Sequence, residues 1–410
     1  MVSISRTALG AALALGSLGL AAAPALAQRQ PVPVATLSKQ ERASLLALET
    51  ALQANNHAAA ASALSAAQSA ARSSDARYYT ASLQLRLGIA TNNAPLQSAA
   101  IDAMLASGAV PAADLAQLYR SQGILALHAN RWDRAETAFT RWAEQAPNDP
   151  EALLSLAEVK DDIKKVPEAI ALIERAIALP TAAGRQAPES WYKRGLKHAF
   201  DSKAAAASAR LSRGLVAAYP SDENWRDAVL VHRDLAPADP ELTLDLLRLM
   251  RAAKAMGGER DFVQLAEALG TAKLPGEAKA VLDEGVSSKM VDAAKPVHKA
   301  LIAGFARRAT ADKAALGRVQ ARGSAAAATA EQVLAAADAS FAFADYAKAA
   351  EFYRAALAKG GADTNLVNSR LGMALALAGR ATEAEVALRA VTGTRADLAN
   401  LWLTWLARRR

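Results

Sequence analysis

Part of the chain repeats itself at a fixed offset. Between Leu118 and Pro180, Gly123 lines up with Ala157, Ala135 with Ala169 and Phe139 with Ile173, each pair 34 residues apart. Ala337, Ala349 and Tyr353 keep the same internal spacing, and Gly372, Ala384 and Leu388 follow them 35 residues later. A period of this length with two helical segments per unit predicts stacked hairpins, because a lone unit cannot bury its apolar stripe. Small residues at the repeated places have a physical role. Two antiparallel helices approach closely only where the facing side chains are small. Gly123 and Ala135 would supply that contact, and Phe139, one turn beyond Ala135, would fill the wider space beside it. Asn130 and Gly379 suit tight turns, and Pro147 and Pro180 would close their units. Composition agrees. The chain is 52% hydrophobic but only 5% aromatic, and apolar content carried by Ala and Leu favours helix over sheet.

The places just named resemble the tetratricopeptide-repeat family, whose unit runs small residue, turn, aromatic, Ala, large apolar residue, Pro. Here that order is Gly123, Asn130, Trp132, Ala135, Phe139 and Pro147, and again Ala337, Tyr346, Ala349, Tyr353 and Ala356. The resemblance implies an all-α, right-handed superhelical solenoid of antiparallel helix hairpins. It also implies that the first helices of successive units line a concave face that takes a protein partner as a peptide or helix segment. Units around Ala135, Ala169, Ala349 and Ala384 match well. Weaker ones fit around Ala60, Ala100, Ala207 and Ala278, and two slots near Leu242 and Ala314 fall at the right distance, giving up to ten hairpins. The expected organisation is N-terminal repeats over 41–180, divergent helical repeats over 181–323, and C-terminal repeats with a capping helix over 324–410. An inserted all-α domain is the alternative for the middle.

The chain opens differently. Arg6 is the only charge in the first 27 residues, an apolar run spans Thr7 to Ala23, and Ala25-Leu26-Ala27 follows Pro24. A positive start, a short apolar run and an A-x-A site predict a secretory signal peptide cleaved after Ala27. The run is short and poor in strongly apolar residues for a spanning helix of ~20 residues. The mature chain is therefore expected in the periplasm or outside the cell. Residues 28–40 read as a linker, with Ser38 and Glu41 spaced as a capping box at its end.

Lys and Arg number 48 against 40 Asp and Glu, a formal net charge of +8. The excess lies in the middle, where 181–323 holds 23 basic and 17 acidic residues, whereas 111–180 holds 8 and 11. A basic patch there would suit anionic lipid, polysaccharide or an acidic partner, and the plainer reading is a solvated surface of interleaved signs. Export and the lack of a binding motif argue against nucleic acid.

Catalytic signatures are mostly missing. Zero Cys removes disulfides, thiolate zinc sites and Cys nucleophiles. His57, His128, His198, His232 and His298 show no helical ligand spacing, and no phosphate-binding loop or nucleophile elbow appears. Ser190 and Lys193 form one S-x-x-K without its companion motifs. No cofactor or metal is expected, and the reading is non-enzymatic.

What remains is binding surface. Matched to the family's inward positions stand Gln117, Arg120, Ile124 and His128, then Glu151, Leu154, Glu158, Asp161 and Asp162, then Tyr192, Leu196 and Phe200. Arg120, Glu151, Glu158, Asp161, Asp162, Tyr192 and Phe200 form the candidate partner-binding set, an acidic groove beside two rings. Arg120 and Ile124 stand where chaperone-binding relatives carry a carboxylate clamp, which disfavours that class of partner. At the C-terminus, Trp402, Trp405 and Leu406 suit a cap on the last repeat, with an interfacial membrane anchor as the lesser reading. The chain reads as an interaction scaffold of the cell envelope. An assembly factor for envelope polysaccharide or outer-membrane machinery is one rival, and an enzyme with its site in the middle region is another.

Overall fold

Eight helical hairpins each turn on one residue in the left-handed region. Asn55, Asn92, Asn130, Lys164, Lys203, Lys273, Ala344 and Gly379 have φ between 48° and 78°. The turns share one bond pattern. In the third hairpin the Arg131 N–H donates to the Ala126 carbonyl at 2.8 Å and the Asn130 N–H to Leu127 at 2.9 Å. The same pair of bonds recurs at Lys164 and Lys165, at Ala344 and Asp345, and at Gly379 and Arg380. Such a cap satisfies the last carbonyls of the first helix and reverses the chain within three residues.

This computed structural model describes residues 37–409, so the signal peptide and most of the linker expected in 1–40 lie outside the described residues. Twenty α-helices are present among them, and no strand. They fall into two units that divide after Ala187. The first contains α1 (Lys39–Gln53), α2 (His57–Ala70), α3 (Ser74–Ala90), α4 (Ala94–Ala106), α5 (Ala112–His128), α6 (Trp132–Gln145), α7 (Pro150–Asp162) and α8 (Val166–Ala182). These pair in sequence as four hairpins. Ser38 begins α1 with the expected capping box: its Oγ accepts from the Glu41 N–H, and its N–H donates to Glu41 Oε2. Glu41 also accepts from the Arg72 and Ser73 N–H groups at 3.0 and 2.8 Å, tying α1 to the start of α3. The Ser73, Ser38 and Arg72 amides hold its pKa down to about 2.

The close-approach logic holds with one adjustment. Ala135, Ala157, Ala169, Ala337, Ala349 and Ala384 are fully buried. Gly123 faces the Phe139 ring itself, and a Cβ there would lie 2.2 Å from Phe139 Cε1. Gly372 stands likewise against Leu388, at 2.5 Å. Pro180 does not close its unit. It sits inside the last turn of α8, which runs on to Ala182 before Gly184 turns the chain. A proline that near the end forfeits one helical bond and leaves its own carbonyl to cap Arg185 at 2.8 Å.

The second unit is less regular. It contains α9 (Glu189–Asp201), α10 (Ala205–Ala218), α11 (Asp222–Leu235), α12 (Pro240–Ala252), α13 (Glu259–Thr271), α14 (Pro275–Ser287), α15 (Pro296–Ser324), α16 (Ala330–Ala342), α17 (Tyr346–Lys359), α18 (Thr364–Leu377), α19 (Ala381–Arg389) and α20 (Ala396–Ala407). Four hairpins, α9/α10, α13/α14, α16/α17 and α18/α19, are interspersed with the single helices α11, α12, α15 and α20. The slots near Leu242 and Ala314 hold no hairpins but the single helices α12 and α15, the latter 29 residues long. Helix α20 packs on α10, α12, α18 and α19, so this unit closes on itself. Trp402 is fully buried and edge-on to Trp405, whose Nε1 donates to the Ala252 carbonyl at 3.1 Å. The C-terminal segment is thus a cap, and it spans more elements than the last repeat alone.

Candidate functional site

The face expected for binding in the first unit is at the surface. On α7, Ala152, Leu153, Leu156, Ala157 and Val159 enter the core, whereas Glu151 and Asp162 are exposed and Leu154, Glu158 and Asp161 are half-buried. This division follows from the period of 3.6, which puts 151, 154, 158, 161 and 162 on one side of the helix. Arg120 on α5 reaches the same side: its Nη2 pairs with Glu151 Oε2 at 3.2 Å, and its guanidinium lies 5.3 Å from the centre of the Trp142 ring. The side chains of Arg120 and Glu151 are 25% and 64% exposed, so the pair aligns two helices while contributing only about 0–1 kcal/mol. Along the edge of α7, Lys160 pairs with Glu136 at 2.6 Å, and Lys165 with the same carboxylate at 3.0 Å. Those two ammonium groups hold Glu136 below the usual carboxylate range.

Tyr192 and Phe200 belong to the other unit, on α9. Tyr192 is buried, edge-on to Tyr219 with ring centres 6.3 Å apart, and its ring lies against Gly214. It is a core residue, because the missing side chain at Gly214 opens a place for the ring. Phe200 and Trp191 are half-buried. Lys193, of the S-x-x-K spacing, pairs with Glu189 at 3.0 Å beside an exposed Ser190.

In the second unit the corresponding face is filled from within. Asp338 on α16 and Ser369 on α18 stand in the register of Ile124 and Arg120. Against this face lies α12, in which Leu242, Leu244, Asp245, Leu246, Leu247, Arg248, Leu249 and Met250 are all buried. Asp245 has no exposed surface and accepts from three guanidinium groups: Arg248 at 2.9 Å, Arg370 at 3.3 Å, and Arg395. Arg248 also clasps Glu277 through two bonds of 3.0 and 2.5 Å and stacks 4.6 Å from the Phe341 ring centre. Arg370 continues to Asp338 at 3.1 Å and to Glu241, and Arg395 Nε donates to Ser369 Oγ at 3.0 Å. Tyr353 donates to Asp338 at 2.6 Å. Burial alone would raise the Asp245 pKa, but Arg370, Arg248 and Arg395 outweigh it and hold the carboxyl below its ordinary range. Burial, and then the Asp338 charge, push the Tyr353 phenol well above its own. Sequence reasoning missed this cluster. Its signal was an Asp and an Arg three residues apart in LTLDLLRLM, a stretch whose other residues are apolar except Thr243.

Two further arrangements bear on catalysis. His232 Nε2 lies 3.2 Å from Ser212 Oγ, but Ser212 is fully buried and also lies 3.2 Å from the Ala209 carbonyl it bonds. That geometry fixes a side chain in the core and gives a substrate no approach to the hydroxyl. A cavity of about 360 Å³ between α13 and α15 is lined mainly by apolar atoms, with Val263, Val297 and Leu301 beside Glu267, His298 and Arg308. Among the described residues no group of three His, Asp or Glu side chains could hold a metal, and no helix is long and apolar enough to cross a membrane.

No family model matches the chain, and no curated protein does. Solved structures similar to it include the MamA protein (16% identity, 50% of this chain and 96% of that one, TM-score 0.29). A tetratricopeptide repeat protein from Parabacteroides merdae is 11% identical over 64% of this chain and 99% of that one, with a TM-score of 0.28. Pseudomonas aeruginosa PilF is 14% identical over 57% and 92%, with a TM-score of 0.26. At identities and TM-scores this low the fold has to be argued from the chain itself. With eight hairpins among the described residues, a buried alanine at the repeated place of each hairpin's second helix and a left-handed residue at each turn, the chain is an all-α, tetratricopeptide-like helical solenoid.

Proposed function

We propose that the protein is a non-catalytic interaction scaffold of the cell envelope and that its partner-binding face lies in the first unit, on α5 and α7. One observation carries this reading. The face bearing Arg120, Glu151, Glu158, Asp161 and Asp162 remains at the surface, while the equivalent face of the second unit is occupied by the chain's own α12. A row of carboxylates on α7, with Arg120 of α5 beside it, suits a basic or amphipathic protein segment, with charge steering the encounter. The leader read in residues 1–27 supports export to the periplasm or beyond. A role in assembling envelope machinery is the finer form of the same reading, and nothing observed favours an enzyme over it.

The test is a photo-crosslinking residue placed in the full chain at Asp162, or at Arg175 on the second helix α8, with the envelope fraction irradiated. A discrete protein adduct is expected from position 162 and not from 175, and Glu158→Lys should abolish it. Adducts of equal yield from both positions, or an adduct untouched by Glu158→Lys, would refute the placement.

A further inference from the structure

The basic excess of the middle region is not spread over interleaved signs. It is concentrated on one helix. Helix α15 spans 29 residues, about 43 Å, and buries only His298, Phe305, Ala309 and Gly323. Its exposed side carries Lys299, Arg307, Arg308, Arg318 and Arg322, separated by small residues such as Ala303, Ala314 and Ala321. At 100° per residue these five cations fall within one half of the helix surface, over about 35 Å of its length. Asp312, the only acid of α15, lies about 130° round from the centre of that side.

The cations differ from others on the molecule. Several exposed cations elsewhere pair along their own helix: Arg141 with Glu144, Lys197 with Asp201, Lys279 with Asp283, Lys348 with Glu351. Among the described residues, none of the five on α15 has a carboxylate at ion-pair distance. Arg308 only stacks on Phe305, 4.3 Å from its ring centre, and bonds the Gly304 carbonyl.

We infer that the exposed side of α15 is a docking surface for an anionic lipid bilayer, held by charge and without insertion. Its shape selects the partner. The side is the outer surface of a single continuous helix, with small residues that let a flat surface approach, and its long Lys and Arg side chains can reach toward that surface. A linear acidic polymer would be held better in a cleft lined by cations, whereas the cavity between α13 and α15 is lined mainly by apolar atoms and takes in only Arg308 of the five. Large apolar side chains that would anchor an inserted helix are missing from it, apart from Val297 at its start, 67% exposed. Attachment by charge alone is reversible and falls with salt.

The experiment sediments the full chain with phosphatidylcholine vesicles, with or without phosphatidylglycerol. Binding is expected only to the anionic vesicles at low salt, with release at high salt. Each cation lost should weaken partitioning about five-fold, so Arg307→Gln/Arg318→Gln/Arg322→Gln should weaken it roughly a hundred-fold. Its helical signal should be unchanged, because these side chains are exposed. A control, Arg141→Gln/Lys197→Gln/Lys279→Gln, removes the same net charge from paired positions and should keep most of the binding. No binding to anionic vesicles at low salt would overturn the inference, as would equal losses in the two triple variants. So would capture by soluble alginate under conditions where vesicles fail, which would assign the surface to an acidic polymer.

Discussion

Replacing Asp245 by Ala should open the second unit. The carboxylate is completely buried and receives Arg248, Arg370 and Arg395. The three do not lose equally. Arg248 keeps its two bonds to Glu277, and Arg370 keeps Asp338 and Glu241. Among the described residues Arg395 is left with the Ser369 hydroxyl, so a buried guanidinium loses the one carboxylate it has there. Removing one partner from a buried ion pair costs about 3–5 kcal/mol, most of it from the charge left uncompensated. Because Arg395 leads directly into α20 and Asp245 sits on α12, the loss falls on the contact that closes the unit. Hydrogen exchange read by mass spectrometry on Ala396–Ala407 and Pro240–Ala252 is the assay. At about 1.4 kcal/mol per decade, amides that exchange through this opening should speed up by about two to three and a half decades, while Lys39–Gln53 in the first unit should be unaffected.

A second variant separates charge from packing. In Asp245→Leu/Arg395→Met neither group is left alone, and well-packed apolar replacements of buried ion pairs are often neutral or stabilising. The double variant should therefore recover much of the protection lost by Asp245→Ala. If α20 exchanges in Asp245→Ala as it does in the parent, the network does not hold the unit closed. If the double variant is worse than the single one, the uncompensated guanidinium is not the cause.

Two other outcomes follow from the packing and the titration. Ala135 is fully buried between α5 and α6, so Ala135→Leu should overpack the contact by about 1–3 kcal/mol and lower the melting temperature by several degrees; an unchanged melting curve would place the hairpin register elsewhere. Burial lowers the His232 pKa, with Asp397 opposing and Arg213 assisting. A depressed histidine leaves the unfolded chain binding the extra proton, so its contribution is complete above about pH 6.5 and is lost as the pH falls below that value. Urea midpoints of the second unit should drop over that range, and His232→Gln should flatten the slope.

Much of the hairpin architecture was legible because it is local. Ser38 and Glu41, Gly123 and Phe139, and Asn130 and Arg131 lie within a few residues to half a unit of each other, and period, size and turn chemistry specify them. The rest depended on distance. Asp245 meets Arg370 and Arg395, 125 and 150 residues further along, and no periodic pattern links positions so far apart. Tyr192 failed for a different reason. Its register says that it leaves the core of its own hairpin, but Gly214 on α10 gives its ring a buried place. Gly214 is in mid-helix, where a glycine gives no turn signal. The face on α7 could be read because each residue's side follows from its number. What that face meets does not.

The difference between the two units comes down to what stands beside an inward face. Arg120 and Ile124 in the first unit have the register of Ser369 and Asp338 in the second, yet one set remains at the surface and the other bonds inside a core. The deciding element is α12. An ordinary solenoid helix sheds half its surface to solvent, but in LTLDLLRLM every residue except Thr243 is buried, one acid and one base among them. Such a helix is stable only when surrounded, and its two charges only when each finds an opposite charge in the wall around it. Neighbouring repeats therefore have to wrap it and supply Glu277, Arg370 and Arg395. Helix α20 completes the wall with Trp402 and Trp405 against α12 and α10. Closure of the second unit is thus a consequence of the composition of nine residues in its middle. Once the inward face is used in that way, its outer helices are the surface it has left for other partners, and α15 presents the longest of them.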